Sequence, residues 1–137
     1  MATMLVIDDD PAWRALYRMT FESHFDIVEA TDGQQGLEAL DACDPDVIVL
    51  DLRMPRMDGL DFIHRLGRKK IRGAIVVCSG VLNEGERPHI PGVQLAPKSP
   101  DLRDLWSALF SAVPELAGAT IPGKQHSSES GSVFWRD

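Results

Sequence analysis

A chain of 137 residues, 44% of them hydrophobic, fits one domain with a core of its own and no need of disulfide support. With 14 basic against 21 acidic residues the net charge is -7, so the surface repels phosphate backbones and direct nucleic-acid binding is not expected. The first apolar run, Met4 to Ile7, is too short for a signal-peptide core or a membrane span, and a cytoplasmic protein is expected.

In chain order, short apolar runs alternate with stretches of helical period. Met4–Ile7 reads as a buried strand. Asp10 is placed to cap a helix that Pro11 opens, with Trp13, Leu16, Tyr17, Thr20 and Phe21 along its inner side. Ile27–Ala30 is the second strand, and Gly33–Ala42, with Leu37 and Leu40 on one side, the second helix. Val47–Leu50 is the third strand, followed by a helix over Leu60–Lys70 that carries Phe62, Ile63 and Leu66. Ala74–Cys78 and Val93–Ala96 complete the strands. Between them, residues 81–92 hold Gly85, Pro88, Pro91 and Gly92 without a 3.6-residue period, so a fourth helix there is expected to be short or irregular. The last helix is expected to be capped by Ser99, with Pro100 in its first turn. Leu102, Leu105, Trp106, Leu109 and Val113 form its apolar stripe, and Phe110 lies at the margin.

The repeat of strand and helix predicts an α/β domain over residues 1–118, a doubly wound, five-stranded parallel sheet covered on both faces. Residues 119–137 turn rich in Ser, Gly and Pro and are expected to form a disordered tail that includes Val133, Phe134 and Trp135. Cys43 and Cys78 have no CxxC spacing and are expected to be buried, reduced thiols. His24, His64, His89 and His126 lack ligand spacing and read as surface or packing residues.

In a parallel sheet the loops after the strands gather into one crevice. Asp8, Asp9 and Asp10 follow the first strand, Asp51 the third, Ser79 the fourth and Lys98 the fifth. Each has a bland reading when taken alone: an acidic triplet caps helices, a serine makes turns, and a lysine is usually a surface charge. Their shared position at strand ends is what gives them a joint meaning. Three carboxylates in one cleft repel unless a cation joins them, and an all-oxygen, water-accessible site suits Mg2+. Asp8, Asp9 and Asp51 are therefore the candidate metal site. A carboxylate can also attack phosphorus if the transferred oxygens are neutralised, which the metal, Lys98 and the Ser79 hydroxyl can do. Asp51, alone at its strand end, is the candidate nucleophile.

These motifs, LVIDDDP, VIVLDLRMPRMDG, VVCSG and LAPKSP, resemble those of response-regulator receiver domains of two-component signalling, over about Met4 to Leu116. The resemblance implies strand order 2-1-3-4-5 and a phosphoryl group accepted on Asp51 from a histidine kinase or phosphotransfer protein. It implies Mg2+ held by Asp9, Asp51 and the Arg53 carbonyl, with Asp8 acting through water. Met54, Pro55 and Asp58-Gly59 would shape the following loop, and Arg53 and Val81 would flank the phosphoryl group. In the family an aromatic stands three residues before the lysine and a proline follows it; here these places hold Leu95 and Ser99. The implied function is a single-domain regulator that catalyses only its own phosphorylation and dephosphorylation and signals by binding a downstream protein. The alternative is a scaffold of the same fold that binds without phosphorylation, which Leu95 supports. A hydrolase ranks below both, because no further acid-base residue or cap domain is apparent.

Overall fold

The computed structural model describes residues 1–67, 73–80 and 93–113. The elements are β1 (Ala2–Ile7), α1 (Pro11–Phe21), β2 (Phe25–Ala30), α2 (Gly33–Ala42), β3 (Val47–Leu50), α3 (Gly59–Leu66), β4 (Ala74–Ser79), β5 (Val93–Pro97) and α4 (Arg103–Ala112). All strand pairs are parallel and the order is β2-β1-β3-β4-β5, as expected. Residues 68–70 of the third expected helix, the segment 81–92 in which a short or irregular helix is expected, and residues 119–137, expected to be a disordered tail, lie outside the described residues.

The central strands β1 (from Met4), β3 and β4 are apolar on both faces, as strands sandwiched between helices must be. Successive side chains alternate between two cores. Met4, Val6, Val47, Val49, Val76 and Cys78 face Tyr17 and Phe21 of α1 and Leu105, Trp106 and Leu109 of α4. Leu5, Ile7, Ile48, Leu50, Ile75 and Val77 face Phe62 and Leu66 of α3, with Leu37 and Leu40 of α2 at the edge. Trp106 is fully buried, with Phe21 at 4.8 Å and Phe110 at 5.7 Å between ring centroids. Phe110 is thus the core edge, and His24, edge-on to Trp106, is a packing residue. Cys78 is buried but Cys43 is only half-buried, because it ends α2 where the chain turns back to the surface.

Three helices start on an aspartate. Asp10, Asp32 and Asp58 accept the backbone amides of Ala12, Gln35 and Asp61, satisfying donors that a helix start leaves free. The last helix corrects the expectation that Ser99 caps it. It begins at Arg103, after Leu102 in a left-handed conformation (φ 56), and the Asp101 carboxylate takes both the Arg103 amide and the Ser99 hydroxyl at 3.0 Å. A charged acceptor outcompetes a hydroxyl, and burial of Leu102 in the core draws the chain inward at that turn.

Candidate functional site

Strand order reverses between β1 and β3, and the register pairs Ile7 with Leu50, so the next residues, Asp8 and Asp51, emerge side by side. The Asp51 amide donates to the Ile7 carbonyl at 3.0 Å, which extends the pairing into the crevice. On the other side Ser79 pairs with Pro97, and the Lys98 amide donates to the Ser79 carbonyl at 3.1 Å. Sheet register alone therefore brings four of the expected residues to one place. Asp9 completes the group: one carboxylate oxygen each from Asp8, Asp9 and Asp51 lie within 4.8 Å of one another. Asp8, Asp51 and Ser79 are buried, while Asp9 faces solvent.

Lys98 joins the carboxylates. Its Nζ lies 2.9 Å from Asp8 Oδ2 and 3.5 Å from Asp51 Oδ2. Burial, then the charge on Asp8, push the Asp51 carboxyl above the usual carboxylate range, against the pull of Lys98, the Ser79 hydroxyl and the Arg53 amide. Burial alone would lower the Lys98 ammonium, but its contacts with Asp8 and Asp51 outweigh that and hold it above the usual lysine value. Asp8 Oδ1 accepts the Asp10 amide at 2.9 Å, whereas Asp8 Oδ2 is buried and accepts no well-aligned hydrogen bond; Lys98 meets it as an ion pair. Three carboxylate oxygens within 4.8 Å of one another make an all-oxygen donor set of the kind that suits a hard divalent cation. Arg53 is exposed, and its backbone amide donates to the Asp51 carboxylate.

The supporting contacts were not foreseen from sequence. Arg14 Nη1 donates to the Asp8 carbonyl at 2.8 Å while its Nε meets Glu29 at 3.1 Å, tying α1 and β2 to the acidic loop. Arg56, left-handed at φ 65, donates to Asp32 Oδ2 through Nη2 at 2.6 Å and Nε at 3.1 Å, binding the loop after Asp51 to the start of α2. Neither pair has a local sequence signal, because 15 residues separate Arg14 from Glu29 and 24 separate Asp32 from Arg56. The Gln35 amide and then Arg56 hold the Asp32 carboxyl below the usual range. Its contribution is thus present above the unfolded carboxylate pKa, about 3.9, and is lost as pH falls through the lowered folded value. Asp32→Ala is expected to cost about 1–2 kcal/mol at neutral pH, for lost cap and ion pair together, with the deficit shrinking below about pH 4. Urea unfolding across that range checks it, and a deficit constant with pH would contradict the assigned charge.

Cys78 and Tyr17 lie under the site, with the Tyr17 hydroxyl donating to Sγ at 3.4 Å. Burial pushes the Cys78 thiol up to about 11 and the Tyr17 hydroxyl up as well, so both stay protonated and serve packing. Leu95, paired with Val77 on β5, is half-buried and has no group to hydrogen-bond Ser79. Val81 lies outside the described residues.

An acidic crevice at the switch point of a five-stranded parallel sheet, closed by a strand-end serine and lysine, defines the class of protein. The sequence matches the family model of the response regulator receiver domain over residues 4–90, and the chain belongs to that family. Lys98 lies beyond the matched span, so its place in the site rests on its contacts. NarL, the nitrate/nitrite response regulator protein of Escherichia coli (strain K12), is 43% identical over 81 residues, 57% of this chain and 38% of that protein. The chain thus spans well under half of NarL. The chemotaxis protein CheY of Listeria monocytogenes is 30% identical over 87 residues, 62% of this chain and 73% of that protein. Among solved structures, Thermotoga maritima TrrA in complex with Mg(2+)-BeF superposes with TM-score 0.67 at 23% identity over 81% of this chain and 98% of that one. TrrA in complex with the histidine kinase ThkA gives TM-score 0.72 at 23% identity over 82% and 99%. At that identity the structures establish the fold. Among the described residues no helix is long and apolar enough to cross a membrane.

Proposed function

We propose that the chain is a phosphorylation switch in which Asp51 accepts a phosphoryl group in a Mg2+-dependent reaction and the modified surface binds a downstream protein. The observation that carries this reading is the convergence of Asp8, Asp9 and Asp51 on one point, with Lys98 against two of them. Asp8, Asp9, Asp51 and the Arg53 carbonyl would hold Mg2+, which when bound neutralises carboxylate charge and one phosphoryl oxygen. An Asp51 oxygen bonds to phosphorus as the bond to the donor, a phosphohistidine nitrogen of a kinase or phosphotransfer protein, breaks. The nitrogen keeps the electron pair and takes a proton from solvent. Lys98 neutralises a second phosphoryl oxygen and the Ser79 hydroxyl donates to a third. The solved complex of TrrA with a histidine kinase supports the partner class. The chain acts on no external substrate in this reading, and a cytoplasmic site of action accords with it.

Intact mass after incubation with acetyl phosphate, with and without Mg2+, tests it. A Mg2+-dependent gain of one phosphoryl group, absent in Asp51→Asn, is expected. No gain from acetyl phosphate or from a panel of phosphorylated kinases would sink it. Leu95 favours a second reading, a scaffold that binds its partner in either state, because a leucine cannot follow Ser79 by hydrogen bonding. Equal partner affinity for both forms would select that reading.

A further inference from the structure

The indole of Trp13, in the first turn of α1, is half-buried, and the Lys98 Nζ that meets Asp8 and Asp51 stands over its ring 4.9 Å from the centroid. We propose that Trp13 is the positioning residue for Lys98: its ring face confines the ammonium to the space between Asp8 and Asp51, and its emission reports what the Asp51 pocket holds. This deepens the phosphoryl-acceptor reading and rests on it.

The geometry gives three reasons. A lysine stem has four rotatable carbons and strongly prefers hydrated positions, so two carboxylates at 2.9 and 3.5 Å do not by themselves define its place once phosphate arrives. A ring face attracts the cation along its whole surface, so the ammonium can slide from Asp8 toward a phosphoryl oxygen on Asp51 without swinging into water. The ring itself is held. Its helix starts on the Asp10 cap with Pro11 in the first turn, the next residue, Arg14, is pinned to the Asp8 carbonyl at 2.8 Å, and Tyr17 lies 6.0 Å away between ring centroids. A leucine at position 13 would keep an apolar but smaller side chain and offer the cation no ring face.

The test uses the full chain and the variants Trp13→Leu and Trp13→Phe, with two readouts. Phosphoryl uptake from acetyl phosphate and Mg2+, followed by intact mass, is expected to slow about 3- to 10-fold in Trp13→Leu and to stay within about threefold of the parent in Trp13→Phe, which keeps a smaller ring face. With Trp135→Phe present throughout the emission series, tryptophan emission is expected to change when beryllofluoride and Mg2+ are added to the chain that keeps Trp13, and not to change in Trp13→Phe, since Trp106 is sealed in the core. Should Trp13→Leu fail to fold by urea titration, the Trp13→Phe emission decides. Parent-like uptake by folded Trp13→Leu, or an undiminished emission change in Trp13→Phe, overturns the positioning role while leaving the acceptor reading intact. Absence of uptake by the parent itself overturns both.

Discussion

Replacing Gly59 by alanine is expected to lower unfolding free energy by about 3 kcal/mol and to weaken Mg2+ binding at the same time. Gly59 is the first residue of α3, where an added methyl would ordinarily help a helix by about 1 kcal/mol. Here a Cβ would sit 2.5 Å from the Asp51 carbonyl oxygen and 2.8 Å from Leu52 Cα, both backbone atoms that no side-chain rotation can clear. Relief requires moving either α3, whose Phe62 and Leu66 are locked in the core, or the backbone of Asp51 itself. The Gly59 amide also donates to the Leu52 carbonyl at 3.0 Å, and that bond stretches with either movement. Since Asp51 carries the pocket, the damage to stability and to the site is one event. Urea unfolding with and without Mg2+ measures both, and a loss under about 0.5 kcal/mol would show that the loop yields without strain.

How much of this was readable beforehand follows from the range of the forces involved. The strands and the starts of α1 and α2 were legible because apolar runs, Asp-Pro and the helical period are local patterns. The site was legible because a parallel sheet sends all its strand ends one way, so the positions of Asp8, Asp51, Ser79 and Lys98 follow from strand order. The start of α4 was misread because Asp101 and the left-handed Leu102 compete with Ser99 within three residues, and burial of Leu102 decides the outcome. Local propensity does not contain that term. The Arg14–Glu29 and Asp32–Arg56 pairs and the Trp13–Lys98 contact were missed for the opposite reason: they join residues far apart in the chain, and only the packed geometry shows that a charge or a ring lies within reach. What the sequence left out is thus the layer that orients the site.

Lys98→Met is expected to destabilise the metal-free protein by about 2–3 kcal/mol at neutral pH, because it leaves two buried carboxylates facing each other without their cation. The sign with pH follows from the two shifted groups. Asp51 has a folded pKa raised by burial and by Asp8, so its ionisation opposes folding; that penalty is absent below the unfolded value of about 3.9 and grows as pH rises through the folded one. Lys98, raised by its carboxylate contacts in spite of burial, contributes stability that is present below the unfolded lysine value of about 10.4 and lost as pH rises through its folded value. The variant should therefore come closest to the parent near pH 3, fall behind as Asp51 ionises, and draw level again only when the parent loses its own ammonium in alkali. Mg2+ would supply the missing charge, so the variant should bind it more tightly than the parent; at one fixed concentration a hundredfold above the variant's dissociation constant the variant gains about 2.7 kcal/mol and the parent less. In the proposed reaction phosphoryl uptake should stay slow even then, because a metal held by the carboxylates would not replace the ammonium that Lys98 would offer a second phosphoryl oxygen. Urea midpoints at pH 3 and pH 7, each with and without Mg2+, separate these effects. A deficit of the same size at both pH values would assign Lys98 a role in packing through its aliphatic stem and remove charge compensation from the account of this site.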